Sequence, residues 1–335
     1  MAARLEGRRL MSFATTLKDR YRRSPRTAWV ALLLLALCIL VLVVVMLVTG
    51  PCEHLFVEPA SDLPEIDEPP TIADLSIYNV DRPFDVAIDP SGERIYVTET
   101  GGARRVRVFN RNGEEIASLT PPDSTSPGNR CPHYVTIDED GIVYVSDQTR
   151  YCIDMYDEND LYLGKFAEGW IPSGMSWDTA GEKLYVCNRS EHCVMVFDRM
   201  GNLLDKWGTE GNEEGQFSHP NGIAIDQDGR VYVADSNNDR LQVFDSERTT
   251  ITQFTLPRGV AMDNRGRMYA VGAQMHTVQV FMIMEEGLEP LFSFGDGPGI
   301  DDQSFRFPNG LCIDNEGGRV YVADKSNDRI QVWEY

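Results

Sequence analysis

Past residue 48, no stretch of this 335-residue chain sustains a 3.6-residue apolar period, which excludes a helical body. Histidine is scarce: five in all, His54, His133, His192, His219 and His276. Their scatter along the chain argues against a three-histidine zinc centre, which needs about three protein ligands. A G-x-S-x-G elbow, a C-x-x-C-H haem site and a phosphate-cradling glycine loop are also missing, so no catalytic constellation is complete and no cofactor or metal is expected. Basic residues vanish altogether between Arg26 and Arg82.

What is present is sharply segregated. Residues 1–27 hold eight Lys or Arg against only Glu6 and Asp19, a net +6 in a chain whose total is -21, so about -27 falls on the rest. A surface that acidic repels phosphate backbones, and nucleic-acid binding by the body is excluded. Ala28 to Val48 is an unbroken apolar run of 21 residues, roughly 30 Å as a helix, the depth of one bilayer core. Its length exceeds the apolar core of a cleaved signal peptide, and the basic flank lies on its N-terminal side. The reading is a cytoplasmic basic arm (1–27), a transmembrane signal anchor (28–48), a Pro- and acid-rich tether (49–70), and an extracytoplasmic body (71–335) on the cell membrane.

The body repeats. RPFDVAID (82–89), CPHYVTID (131–138), IPSGMSWD (171–178), HPNGIAID (219–226), LPRGVAMD (256–263) and FPNGLCID (307–314) align on their prolines, and Pro83 and Pro308 are 225 residues apart over five intervals, a mean of 45. Each closing aspartate (Asp89, Asp138, Asp178, Asp226, Asp263, Asp314) is followed three residues later by glycine, as a type I turn requires. A tyrosine-bearing alternating segment such as VYVAD follows, then a third strand ending on an aromatic. Four short strands per copy, six times over, predict an all-β, six-bladed β-propeller of four-stranded antiparallel blades. The chain reaches Tyr335 right after the third strand of the sixth copy, so ADLSIYN (73–79) is expected to supply the missing outer strand and close the ring.

The pattern P-x-G-[IV]-A-[IV]-D, then DG-x-[VI]-Y-V-A-D-S-x-N-x-R-[IL]-Q-V-F, resembles the NHL-repeat family over about residues 71–335, most closely in copies four and six. Copy five (VGAQMHT) and copy one (TETGGARR) depart from it. The resemblance implies six-bladed propellers that mostly bind other molecules. Ligands of such a ring meet its axis where the inner strands begin, so the residues after each proline are the candidates: Phe84, His133, Ser173, Asn221, Arg258 and Asn309, joined by Asp85.

A non-catalytic scaffold or sensor for an unknown protein or peptide outside the cytoplasm is therefore expected, a role compatible with a subunit of a larger membrane assembly. The alternative is a metal-dependent hydrolase or lyase at the channel mouth. CPHYVTID resembles the strand that supplies a zinc ligand in amidating lyase, and Asn221, Asn309 and Asp85 resemble the oxygen ligands of gluconolactonase-like propellers. Two disulfides are expected, Cys187 with Cys193 across a hairpin loop and Cys131 with Cys152. Asn188-Arg189-Ser190 reads as a glycosylation sequon. VADSNNDR (233–240) has calcium-loop spacing at Asp235, Asn237 and Asp239, yet most copies lack those oxygens. Here Asp235, Asn237 and Asn238 are expected to fasten a turn, with Arg240 returning to a carboxylate or carbonyl.

Overall fold

The second strand of the fourth copy, Val231–Asp235, is buried along its whole length, although its side chains alternate between two faces. Both faces are covered because another sheet packs on each side of this one. The computed structural model describes residues 68–335 apart from 125, 179–181, 246–248 and 285–286. The basic arm, the proposed span 28–48 and the tether up to residue 67 lie outside the described residues. Among those described, no helix is long and apolar enough to cross a membrane.

Six four-stranded antiparallel sheets form the ring. Blade I comprises Pro83–Ile88, Arg94–Glu99, Val106–Asn110 and Glu115–Leu119. Blade II comprises Pro132–Ile137, Val143–Asp147, Cys152–Tyr156 and Tyr162–Glu168. Blade III comprises Pro172–Asp178, Lys183–Asn188, Cys193–Asp198 and Leu203–Trp207. Blade IV comprises Ile223–Ile225, Val231–Asp235, Arg240–Phe244 and Thr249–Gln253. Blade V comprises Pro257–Met262, Arg267–Gly272, Thr277–Met284 and Gly287–Phe294. Blade VI takes Leu311–Asp314, Arg319–Asp324 and Arg329–Glu334 from the chain's end, and its outer strand is Thr71–Tyr78 from the start of the body. The expected closure is therefore made, with Ile77 opposite Ile330 and Tyr78 opposite Arg329.

The core is divided among the blade interfaces. One apolar cluster fills each junction between neighbouring blades; that between VI and I joins Ile77, Val86, Ile95, Val97, Tyr321, Ile330 and Val332. Outer strands contribute unevenly: Leu203–Trp207 is almost entirely exposed, whereas Ile77 and Leu119 are buried. In blades I, II, IV and V the Asp-to-Gly turn forms as expected, for example with Gly141 N–H donating to the Asp138 carbonyl at 3.1 Å, whereas in blade VI Gly317 N–H donates to Asp314 Oδ1 at 2.7 Å. In blades II, IV and V the recurrent tyrosine's hydroxyl reaches back to the turn carboxylate, Tyr144 to Asp138 at 3.2 Å, Tyr232 to Asp226 at 2.8 Å and Tyr269 to Asp263 at 3.3 Å, while that of Tyr321 in blade VI has no hydrogen-bond partner among the described residues.

Candidate functional site at the channel mouth

Six inner strands converge on the axis, and their backbones come too close for ordinary side chains at one position. A Cβ on Gly174 would sit 2.2 Å from the Asn221 carbonyl, and one on Gly222 would sit 2.2 Å from the Arg258 carbonyl. Glycine there lets neighbouring blades bond directly: Gly174 N–H to Asn221 O at 2.7 Å, Gly259 N–H to Asn309 O at 2.9 Å, and Gly310 N–H to Phe84 O at 2.8 Å. The strands enclose a central channel of about 270 Å³.

Blades I and II break this glycine rule, and their substitutes shape the channel. Asp85 is the one carboxylate among the described channel-lining residues. It is buried, with Oδ2 accepting from Val135 N at 3.0 Å. Burial pushes its carboxyl up to about 7, against the lowering effect of the Val135 and Val86 amides. Tyr134 enters the channel wall and packs edge-on against Phe84, with ring centroids 5.3 Å apart. Its buried hydroxyl has no hydrogen-bond partner among the described residues.

The Asp85 carboxyl makes stability depend on pH with a definite sign. An acid with a raised folded pKa stabilises the fold below the unfolded value of 3.8, and this contribution is lost as pH rises through about 7. Asp85→Asn keeps an acceptor for Val135 N–H and removes the charge. It should leave the melting temperature nearly unchanged near pH 4 and raise stability at pH 8 by on the order of 2–4 kcal/mol. Thermal melts of parent and variant across that range check it.

Of the sequence candidates, only Asp85 lines the channel itself. Ser173, Asn221 and Asn309 are buried at the inner-strand entries. Asn221 Nδ2 donates to His219 O at 3.1 Å and to Ser236 Oγ at 2.6 Å. The Ser173 hydroxyl and the Oδ1 atoms of Asn221 and Asn309 have no partner among the described residues. His133 stacks edge-on against Phe84 at 4.3 Å, and its Nδ1 donates to the Cys131 carbonyl at 3.0 Å. Burial pulls its pKa down to about 4 despite that bond, and Lys325, Arg189 and Arg104 lower it further, so the ring is neutral near pH 7. The other described histidines meet neighbouring rings edge-on, His192 against His219, whose carbonyl takes Asn221 Nδ2, and His276 against Phe307. Among the described residues, no three His, Cys, Asp or Glu come together to hold a metal.

The proline columns miss two cations that the structure brings to the mouth. Arg189 and Lys325 each directly follow the polar residue that ends a second strand, Asn188 and Asp324. They stand where blade IV has Ser236, and reading that column alongside the prolines would have found them. Lys325 lies over the Phe84 ring, with Nζ 4.8 Å from its centroid. Burial lowers the pKa of both cations, and nearby Arg258 lowers them further. Arg189, Arg258 and Lys325 are half-buried and have no carboxylate within 4.0 Å among the described residues.

Three other expectations are corrected. Cys187 and Cys193 are free thiols on opposite faces of blade III, because register pairs Cys187 with Val194 and Cys193 with Asn188. Cys187 packs toward blade IV and Cys193 toward blade II. Cys131 and Cys152 are also free: the second strand of blade II runs between them, pairing Asp147 with both Pro132 and Cys152. Two strand spacings, about 9.5 Å, exceed the reach of a disulfide. Asn188 of the sequon is wholly buried, and its Oδ1 accepts from Ser190 N and Glu191 N at 3.1 Å each, so it cannot take a glycan in this fold.

Comparison with known proteins bears on the scaffold more than on the mouth. The NHL repeat family model matches residues 217–244 and 305–333. NHL repeat-containing protein 2 of Gallus gallus is 35% identical over 86 residues, which are 23% of this chain and 12% of that protein. Peptidyl-glycine alpha-amidating monooxygenase B of Xenopus laevis is 26% identical over 179 residues, 49% of this chain and 20% of that one. The chain thus spans only a small part of the curated relatives it matches. Among solved structures, a catalytically inactive virginiamycin B lyase from Staphylococcus aureus with quinupristin superposes with a TM-score of 0.57 at 14% identity, covering 78% of this chain and 98% of the lyase. At that identity the likeness is one of fold. The chain carries NHL repeats in blades IV and VI and is built as a six-bladed β-propeller.

Proposed function

We propose that this protein is a membrane-anchored, extracytoplasmic binding scaffold whose channel mouth captures a protein or peptide partner without catalysis. The observation that carries the reading is the mouth itself, where, among the described residues, three half-buried cations have no carboxylate within 4.0 Å and the Ser173 hydroxyl, the Tyr134 hydroxyl and the Asn221 and Asn309 Oδ1 atoms have no hydrogen-bond partner. Buried polar groups are nearly always satisfied, and groups left open around a concavity mark a place where a ligand completes them. The basic arm and the 21-residue apolar run support an anchor at residues 28–48 with the propeller outside the cytoplasm.

Photo-crosslinkers test this on the full chain in intact membranes. They are placed at exposed Thr149 and Ser326, in the loops that follow the second strands of blades II and VI, and at Leu163 on an outer strand. Defined adducts are expected from Thr149 and Ser326 and none from Leu163; adducts from Leu163 alone would sink the proposal. Metal analysis of the purified chain separates it from a hydrolase or lyase. One stoichiometric divalent ion, lost on replacing Asp85, Asn221 or Asn309, would favour the enzyme.

A further inference from the structure

We propose that the channel mouth is a carboxylate site for a peptide, with Arg258 and Arg189 forking the two oxygens, Lys325 adding charge and Tyr134 donating its hydroxyl from the channel wall. The inference rests on the mouth being the binding face.

Three observations carry it. Arg258 stands second in the inner strand of blade V, and Arg189 and Lys325 directly follow the second strands of blades III and VI, so all three sit at the same end of the ring, where burial and then Arg258 lower the pKa of the other two. Holding like charges half-buried together, without ion pairs, is unfavourable unless an anion joins them, and planar guanidinium forks match a carboxylate. Second, the Tyr134 hydroxyl is buried in the channel wall with no hydrogen-bond partner among the described residues, which leaves a donor for such an anion. Third, Asn221 and Asn309 occupy the same register position in the two blades flanking Arg258, and each has a buried Oδ1 acceptor with no hydrogen-bond partner among the described residues. Acceptor oxygens beside the cations disfavour a phosphate, whose own oxygens crowd them, and suit the N–H groups of a peptide. The remainder of the chain, at about -27, repels a polyanion but leaves a small anion free to enter a cationic mouth. A channel of about 270 Å³ admits a chain end or one side chain, not a folded or base-paired element.

The carboxylate has two possible sources, a peptide C-terminus or a Glu or Asp side chain, and the test separates them. The full chain in detergent is titrated with fluorescent N-acetyl hexapeptide pools: neutral side chains with a free C-terminus, the same pool amidated, and an amidated pool containing one Glu. A short oligouridylate and inorganic phosphate are titrated alongside. Binding of the first pool assigns the C-terminus, and binding of the third assigns the side chain; the neutral amidated pool should not bind. Arg258→Gln should weaken binding at least about tenfold and Arg189→Gln several-fold, the loss expected of charge-assisted hydrogen bonds. Lys165→Gln on an outer strand should change nothing. Arg258→Gln should melt no lower than the parent, since Arg258 makes no ion pair among the described residues, so lost binding is not lost folding. Equal binding of acid and neutral amidated pools, with crosslinks still at Thr149 and Ser326, would overturn the carboxylate and spare the mouth. Peptide binding indifferent to both Arg substitutions, binding of oligouridylate or phosphate alone, or no binding at all would also overturn it.

Discussion

Deleting residues 71–78 should unfold or aggregate the propeller, and appending them after Tyr335 through a short turn should restore it. Thr71–Tyr78 is the outer strand of blade VI, and without it Arg329–Glu334 becomes an open edge. That edge is buried apart from Glu334 and carries Ile330, Val332 and Trp333, which makes it a template for pairing with other chains. The strand contributes core as well as hydrogen bonds. Ile77 is only 2% exposed and packs with Ile330 and Val332 at the interface between blades VI and I. Ile77→Ala alone should cost about 2–5 kcal/mol, the usual range for a buried large-to-small change. In a domain of this size that lowers the melting temperature by roughly 5–15 °C. The rescue works by geometry: Thr71 pairs with Glu334, so a strand following Tyr335 would turn back in the same antiparallel sense as the outer strands of the other blades. Thermal melts and size-exclusion profiles of the deletion, Ile77→Ala and the relocated strand decide the matter. A soluble, cooperatively melting deletion would show that closure is dispensable.

Asp235→Ala should destabilise the protein by about 3–5 kcal/mol, because it leaves a buried guanidinium without its counter-charge. Asp235 is fully buried, and its Oδ2 accepts from Arg240 Nε at 2.8 Å, Asn238 Nδ2 at 2.8 Å and Gln242 Nε2 at 3.0 Å. Its Oδ1 accepts from Ser218 N at 2.7 Å. Arg240 in turn donates to the carbonyls of Asn212, Glu213 and Gln216, fastening the loop that enters blade IV. Blade VI repeats the device: Asp324 holds Arg329, which binds the carbonyls of Ile300, Asp301 and Ser304. The pair cannot be valued by one deletion, so the cycle matters. Asp235→Ala combined with Arg240→Met should cost clearly less than the sum of the two single changes, as for any buried pair whose survivor is the main penalty. Urea denaturation of the four chains measures it, and strictly additive costs would show that the two side chains act independently. Added calcium should leave the parent's midpoint unchanged, since the Arg240 guanidinium already neutralises Asp235.

The calcium-like spacing of VADSNNDR is thereby accounted for. Its three alternate residues serve three different partners: Asp235 takes Arg240, Asn237 reaches His219 Nδ1 at 3.1 Å, and Asp239 accepts from Leu256 N at 2.8 Å. Asn238 and Arg240 fasten the turn as the sequence suggests, while Asn237 serves the neighbouring loop instead.

The ring, its six copies and the borrowed strand of blade VI were all legible in the sequence, because each follows from periodic local chemistry. A turn aspartate, a glycine three residues on and alternating strands recur every 45 residues or so, and only a closed ring leaves no edge. The segregated charge and the 21-residue apolar run at 28–48 are likewise properties of sequence alone. Pairings and directions needed the tertiary structure. A one-residue register offset puts Cys187 and Cys193 on opposite faces of blade III, and spacing in the sequence cannot report which residue lies opposite which. The proline columns located the entrance to the channel, but Ser173, Asn221 and Asn309 proved buried there while Asp85 and Tyr134 formed the wall. The cations at the mouth come from three blades far apart in sequence, Arg189 from III, Arg258 from V and Lys325 from VI. Only closure of the ring brings such charges together, because their proximity is set by the circumference of the ring and not by distance along the chain.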